Sequence, residues 1–195
     1  MRTAGVVLAA GASRRMGRTK QLLPLGASTL LGTVLATALG SRLDEVVLVL
    51  GADADLITAA VDTSAVRVVV AADHAEGMGA SLRTGVAALG AEIERVAVLL
   101  GDQPKVTPEL VDGVLDRHLE SGLPAAAVSA GGVLQPPVVV DRRLWPRLLA
   151  ARGDSGLRGV LRADPGMVAT LSVEGVTVDV DTPDDYRRVL TAEEP

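Results

Sequence analysis

The sequence predicts a single α/β domain of three layers, built on a mostly parallel, twisted sheet. Short apolar runs alternate with segments of helical periodicity. Four runs, at 4–10, 45–51, 66–72 and 95–101, are rich in valine and leucine, as strands buried on both faces of a parallel sheet are. The length of 195 residues suits one such domain with a full core. We therefore expect a Rossmann-like arrangement over 1–195, with ligands at the carboxyl ends of the strands.

Three helices are predicted between and after these strands. Their periodic segments lie at 28–40, 79–90 and 107–119. Ser28 is the expected N-cap of the first helix. Thr107 is the expected cap of the third, because Pro108 follows it at the first helical position.

Beyond residue 122 the pattern is looser. It predicts two short strands and two helical segments, at 124–130, 136–140, 144–154 and 155–164. The segment 175–190 is predicted to be a strand that leads into the last helix. In such a strand Asp179 and Asp181 share one face, with Asp181 at its end.

Composition excludes several classes of function. The chain has no cysteine, which excludes disulfides, thiol catalysis and cysteine-ligated zinc. No run of about 18 apolar residues is present, and the short apolar start leads into a basic loop. We expect a soluble, cytoplasmic protein without a membrane partner.

Charge is distributed unevenly. The formal net charge is −5, which argues against a general nucleic-acid binder. Residues 1–43 nevertheless contain six basic residues and no Asp or Glu, whereas the rest of the chain holds 13 basic and 24 acidic residues. A cationic segment in an anionic protein indicates a site for a small polyanion, although a solvated charge cluster is the alternative.

The loop after the first strand has the composition of a phosphate site. Gly11 and Gly17 allow close approach of backbone N–H groups, and Arg15 and Lys20 supply positive charge. The spacing is neither that of a Walker loop nor that of the dinucleotide fingerprint. Only two of the 19 basic residues are lysines, so Lys20 hints at a need for a compact point charge.

Two carboxylates are candidate Mg²⁺ ligands. Asp102 follows the strand at 95–101 and is expected at the same sheet edge as the basic loop. Mg²⁺ commonly takes one or two carboxylates together with phosphate oxygens and water. Asp181 repeats this placement at the end of its predicted strand. A turn residue before Pro104 and an acid at a helix start are the alternatives.

Two further glycine-rich segments, 76–85 and 153–159, could bind an anion or a base. The first carries Ser81 and Arg83 on the opening turn of a helix, and the second carries Asp154 and Arg158. An ordinary strand-to-helix turn and a solvent-facing arginine are the alternatives.

Five motifs in order resemble the MobA-like nucleotidyltransferase family, and most closely its molybdenum cofactor cytidylyltransferase branch. The family pattern LAAGxSxRMGxxK stands at 8–20, and GxxxSLRxG, GDQPxV, GDxGxR and DxDTPxDY stand at 77–85, 101–106, 153–158 and 179–186. The resemblance covers almost the whole chain. It implies a fold of the nucleotide-diphospho-sugar-transferase type and Mg²⁺-dependent transfer of a nucleotidyl group.

The resemblance also implies roles for particular residues. Arg15 and Lys20 would act on the phosphates, and Asp102 and Asp181 would hold Mg²⁺. The implied nucleotide-binding residues are Leu8, Ala9, Ala10, Gly11, Ser13, Arg15, Lys20, Ser81, Arg83 and Asp102. Ala10 implies CTP, because the guanylyl branch has glycine there.

On the acceptor side the resemblance implies molybdopterin, with a molybdoenzyme as a further partner. The implied acceptor-binding residues are Gln135, Pro137, Asp154 and Arg158, and here Gln135 and Pro136 stand near the family's usual histidine. Two alternatives are cytidylyl transfer to another phosphorylated acceptor and a non-catalytic nucleotide-binding chaperone for molybdoenzymes.

Overall fold

A seven-stranded sheet forms the centre of the molecule. The computed structural model describes residues 1–150, 156–174 and 178–191. The strand order is β5-β4-β1-β6-β8-β7-β9, and β8 runs antiparallel to its neighbours while the other pairs are parallel. The strands are β1 (Arg2–Leu8), β2 (Pro24–Leu25), β3 (Ser28–Thr29), β4 (Glu45–Leu50), β5 (Arg67–Val70), β6 (Ile93–Leu100), β7 (Ala125–Ala130), β8 (Val133–Asp141) and β9 (Val168–Ser172), with β2 and β3 forming a separate pair.

Helices cover both faces of this sheet, which confirms the predicted three-layer α/β architecture. They are α1 (Leu30–Gly40), α2 (Ala54–Ala60), α3 (Met78–Ala87), α4 (Pro108–Ser121), α5 (Trp145–Ala150), α6 (Gly156–Ala163) and α7 (Pro183–Thr191). Within the described ranges, none of them has the length and apolar character needed to cross a membrane.

The alternation of side chains along β1 separates two apolar cores. Ala4, Val6 and Leu8 join one cluster, which includes apolar side chains of α3, α5 and α6. Val7 points to the other face, where α1, α2 and α4 pack. Because both faces of β1 are covered, residues 4–8 of this strand are apolar or glycine, and its carboxyl end lies between two covered strands of the sheet.

A third cluster joins the N-terminal loop to the C-terminal helix. It consists of Met16, Leu23, Leu25, Leu30, Val180 and Val189, all at most 8% exposed. This cluster brings the segment that ends in Asp181 against the loop that carries Lys20.

The cap of the first helix differs from the prediction. Thr29, not Ser28, caps α1, and its hydroxyl accepts a hydrogen bond from the Gly32 amide at 3.0 Å. Ser28 instead pairs with Leu25 in the short ladder of β2 and β3. The Thr107 cap of α4, followed by Pro108, is as predicted.

The strand predicted before the last helix is wrong for residues 178–181. These residues have no regular secondary structure, because Val180 bonds by its amide to the carbonyl of Asp102 instead of joining a ladder. The sheet edge is occupied by β9. At the other edge β5 is only partly buried, so the expectation of burial on both faces fails for that strand.

Candidate active site

A cavity of about 390 Å³ opens at the carboxyl ends of β1 and β6. One wall is the loop after β1, and another is the start of α3. The lining residues are Leu8, Ala9, Ala10, Gly11, Arg15, Lys20, Gln21, His74, Gly77, Met78, Ser81, Leu100, Gly101 and Asp102. Its position is the one expected for ligands in a parallel α/β sheet.

Two glycines let the loop after β1 pass between the segments that follow β4 and β6. A Cβ on Gly51, just after β4, would lie 2.4 Å from the Ala10 carbonyl oxygen. A Cβ on Gly101, just after β6, would lie 2.8 Å from the Ala9 Cβ. Both contacts are too short for any side chain, so the sequence at the ends of β4 and β6 fixes where the loop runs.

Ser13 and Gln21 hold the loop in shape. The backbone of Ser13 has φ of 51°, a region that non-glycine residues rarely adopt. Its hydroxyl donates to Gln21 Oε1 at 3.2 Å and accepts from the Lys20 amide at 3.1 Å. The Gln21 amide donates to the carbonyls of Ala9 at 2.9 Å and Gly11 at 3.1 Å.

Lys20 lies between two carboxylates from distant parts of the sequence. Its Nζ is 2.6 Å from Asp102 Oδ2 and 2.8 Å from Asp181 Oδ1. Arg15 binds the other oxygen of Asp181 at 2.7 Å. Lys20 and Asp102 are largely enclosed, with side chains 11% and 20% exposed, whereas Arg15 is 69% exposed. Two cations and two acids therefore balance each other at the cavity.

The surroundings shift the pKa of each central group. Burial alone would lower the pKa of the Lys20 ammonium, but Asp102 and Asp181 outweigh it and raise the pKa above its usual value. Burial raises the pKa of Asp102, and contact with Lys20 offsets only part of that effect. Partial burial acts to raise the pKa of Asp181, but Lys20 and Arg15 outweigh it and hold the pKa below its usual value.

Backbone contacts position Asp181 although no strand carries it. The Val180 amide donates to the Asp102 carbonyl at 2.9 Å, and the Val180 side chain is buried in the third cluster. The next residue, Thr182, starts α7 with a reciprocal cap, because its amide donates to Asp185 Oδ2 and its hydroxyl accepts from the Asp185 amide. The segment is thus fixed on both sides of Asp181.

Most of the residues that the sequence singled out for the nucleotide lie together. Leu8, Ala9, Ala10, Gly11, Arg15, Lys20, Ser81 and Asp102 line the cavity. Ser13 supports the loop from behind. Arg83 does not line the cavity: its guanidinium binds Asp73 at 2.8 Å and Glu76 at 3.2 Å.

Sequence reasoning missed two features of the site. Gln21 is not among the predicted site residues. Its amide lies between Lys20 and the apolar pair Leu22–Leu23 and is buried, which is unusual for this residue type. The amide of Gln103 donates to Asp179 at 2.6 Å and ties the loop after β6 to the segment before α7. Of the histidines, His74 lines the cavity, and His118 is buried in α4.

A second cavity, of about 80 Å³, adjoins the first and shares Met78 and Leu100 with it. Two of the predicted acceptor residues, Gln135 and Arg158, line it, and so does Pro136. Pro137 is buried in β8 and lines neither cavity. Asp154 lies outside the described residues.

The sequence matches the family model of the MobA-like NTP transferase domain over residues 5–168. The chain belongs to this family. The match includes the loop after β1, Asp102 and the elements that line the second cavity, whereas Asp181 lies beyond the matched segment. The MobA-like fold accounts for the position of the first cavity at the strand ends.

Curated relatives cover nearly the whole of this MobA-like chain. Nicotine blue oxidoreductase of Paenarthrobacter nicotinovorans is 37% identical, with 95% of each chain covered. Purine catabolism protein PucB of Bacillus subtilis is 32% identical, with 96% of each covered. Molybdenum cofactor cytidylyltransferase of Escherichia coli is 24% identical and covers 97% of this chain and 94% of its own.

Solved structures agree with the fold. Rv0371c of Mycobacterium tuberculosis superimposes with a TM-score of 0.90 at 34% identity, over 98% of both chains. A complex of Rv0371c with manganese superimposes with a TM-score of 0.86 at 32% identity, over 98% of this chain and 100% of the other. A divalent metal thus occurs in a structural neighbour of this nucleotidyltransferase.

Proposed function

We propose that this nucleotidyltransferase transfers CMP from CTP to the terminal phosphate of a molybdopterin-type acceptor and releases pyrophosphate. The observation that carries the proposal is the position of Lys20 Nζ, 2.6 Å from Asp102 and 2.8 Å from Asp181 at a cavity of about 390 Å³. That volume lies in the usual range of small-molecule sites. The combination of paired carboxylates, cations and loop amides suits a nucleoside triphosphate.

The carboxylates fit Mg²⁺. The Asp102 Oδ1 atom is buried and has no hydrogen-bond partner among the described residues, so it is available as a ligand. Within the described ranges no cluster of three or more His, Asp or Glu could hold a metal alone. Asp102 and Asp181 would therefore share the ion with phosphate oxygens and water, as Mg²⁺ sites commonly do. When bound, the ion neutralises charge on the triphosphate.

The cations are placed to meet the phosphates. Lys20 and Arg15 are paired with Asp102 and Asp181. An entering triphosphate offers the same donors stronger, multiply charged acceptors. Lys20 is held beside the cavity by its own backbone contact with Ser13, so only its side chain needs to turn toward the phosphates.

The proposed reaction is an in-line displacement. An oxygen of the acceptor phosphate forms a bond to the α-phosphorus of CTP. The bond from that phosphorus to the bridging oxygen breaks, and its electron pair leaves with pyrophosphate. A phosphate monoester is largely ionised near neutral pH, so no side chain must remove a proton. Positioning and charge stabilisation by Lys20 and Arg15 then provide the rate.

The identity of the substrates rests on two parts of the site. Ala10 lines the cavity wall and supports CTP through the family pattern. The second cavity, with Gln135 and Arg158, supports an acceptor beside the nucleotide. We extend the proposal to residues 1–195 as one cytoplasmic nucleotidyltransferase domain whose product passes to a molybdoenzyme. Another phosphorylated acceptor and a non-catalytic chaperone are the alternatives.

A second candidate function comes from the relative that is named an oxidoreductase and is 37% identical. The chain has no cysteine, so redox chemistry here would need an electron-carrying cofactor. The two candidates therefore differ in the ligand that stabilises the protein.

A ligand screen followed by a turnover assay tests these alternatives. Thermal unfolding is measured with ATP, GTP, CTP and UTP, each with Mg²⁺, and with NADH, NADPH and FMN. We expect CTP to raise the Tm most, and pyrophosphate release to require molybdopterin as well as CTP. Binding of CTP without turnover on any phosphorylated acceptor would favour the chaperone. Stabilisation only by a redox cofactor would overturn the proposal in favour of the oxidoreductase.

A further inference from the structure

Gln21 lies directly behind the loop that forms one wall of the first cavity. The residue is 2% exposed, and its carboxamide makes all of its contacts with that loop. The two amide hydrogens go to the carbonyls of Ala9 and Gly11, and the carbonyl oxygen accepts from Ser13. Burying a carboxamide is costly unless it is satisfied. The position would favour an apolar residue if it only filled the core.

These contacts determine where the loop amides point. In a planar trans peptide the C=O and the following N–H point in opposite directions. Because the carbonyls of Ala9 and Gly11 point to Gln21, the N–H groups of Ala10 and Ala12 point away from it. Among the described residues, no hydrogen-bond acceptor is found for the N–H groups of Ala10, Gly11 or Ala12.

Backbone N–H groups that have no acceptor within the protein and lie beside a cavity can bind an anion. Ala10 and Gly11 line the cavity together with Lys20 and Arg15. We propose that Gln21 is a positioning residue that holds the backbone of residues 9–12 with its amides toward the phosphate chain of the substrate. This inference rests on the proposed function, since it assigns the anion as the triphosphate of a nucleotide.

A direct role of Gln21 as a hydrogen-bond donor to the base is not compatible with its contacts. Both of its amide hydrogens are used by the loop carbonyls, and Ser13 donates to its oxygen. The effect of Gln21 on the ligand is therefore exerted through the backbone. It should be the same for any ligand with a triphosphate.

Gln21→Met tests the proposal, because methionine has a similar volume and cannot bond the carbonyls. Affinities for inorganic tripolyphosphate and for CTP, each with Mg²⁺, are measured by calorimetry. The ¹⁵N–¹H signals of residues 10–12 are followed during the tripolyphosphate titration. Ser41→Ala is the matched control. Ser41 follows α1, away from the loop, and its buried hydroxyl donates to the Thr37 carbonyl at 2.7 Å, so the change also removes a buried side chain–backbone hydrogen bond. If Gln21→Met does not fold, Gln21→Asn, one methylene shorter, takes its place.

We expect Gln21→Met to weaken tripolyphosphate and CTP alike, by about tenfold or more. The signals of residues 10–12 should shift with tripolyphosphate in the parent and in Ser41→Ala but not in Gln21→Met. Affinities within about threefold of the parent, or equal signal shifts in Gln21→Met, would overturn the role of Gln21 alone. A parent protein that binds tripolyphosphate but does not bind CTP would overturn only the choice of CTP as the nucleotide. A parent that binds neither ligand would overturn both proposals.

Discussion

The two adjoining cavities differ in how they are built. The first, of about 390 Å³, combines loop backbone with Lys20, Arg15 and Asp102. The second, of about 80 Å³, is walled by apolar side chains of α3, β6, β8 and α6, with Gln135 and Arg158 as its polar groups. They meet at Met78 and Leu100. A charged ligand with repeated phosphates suits the first, and a less polar group suits the second.

The difference indicates which part of the reaction each cavity controls. In the first cavity Lys20 and Arg15 pair with Asp102 and Asp181, so the charged groups stand beside the site of the proposed reaction. Changes there should affect the chemical step. In the second cavity Arg158 lies at the rim on α6 and is exposed. Changes there should affect recognition of one substrate.

The largest effect is expected for Asp102→Asn. The change keeps the shape but removes the buried charge that holds Lys20 and the proposed ion, so pyrophosphate release should fall by about 10³-fold or more. Asp112→Asn is the control, because it removes a carboxylate that pairs with Arg42 away from both cavities. Near-normal turnover in folded Asp102→Asn would remove this residue from the metal site.

A smaller loss, of about 10²-fold in kcat, is expected for Lys20→Met. The ammonium competes with a metal for Asp102 and Asp181, so the same variant should bind Mn²⁺ more tightly than the parent when no nucleotide is present. Electron paramagnetic resonance of free Mn²⁺ measures this directly. Lys105→Met, at the only other lysine and on the exposed surface, is the control. Unchanged kcat together with unchanged Mn²⁺ affinity would make Lys20 a bystander.

The first cavity could be predicted largely because its parts are local in sequence. Gly11, Arg15 and Lys20 belong to one loop directly after Leu8, the last residue of β1, and Asp102 follows a clearly apolar strand. Asp181 lies across Lys20 from Asp102, but the strand that was predicted to carry it is absent at residues 178–181. Its segment is held by burial of Val180 and by hydrogen bonds to Asp102 and Gln103, which no periodicity reveals.

Other parts of the fold gave no clear pattern. In α2 only Ile57 is buried, and β9 buries only Ala169, so neither element has a strong apolar period. Arg83 is the corresponding example in the site, where the sequence does not predict the position of the side chain. Its motif places it near the cavity, but Asp73 and Glu76, from the preceding loop, draw its guanidinium elsewhere. Such pairings depend on the three-dimensional neighbours of a side chain.

An effect confined to one substrate is expected for Arg158→Ala. Loss of this guanidinium should raise the KM for the acceptor about tenfold and leave the KM for CTP unchanged. Arg162→Ala is the matched control, because Arg162 lies one turn further along α6 and does not line the second cavity. Equal changes in both KM values would mean that the two cavities do not divide the substrates.

The smallest effect is expected for Ala10→Gly, which probes the base rather than the phosphates. Ala10 is 7% exposed, and its carbonyl packs against Gly51, so its methyl group is a fixed part of the cavity wall. Removal of this methyl group enlarges the cavity by the volume of one carbon. A difference of one methyl or methylene group in a binding pocket changes specificity by about tenfold or somewhat more. The kcat/KM ratio of CTP to GTP should therefore fall severalfold while turnover with CTP persists. Ala12→Gly gives the loop the same extra freedom without changing the lining, so a fall in the ratio for Ala10→Gly alone separates the shape of the wall from loop flexibility. An unchanged ratio in both variants would mean that another part of the first cavity reads the base.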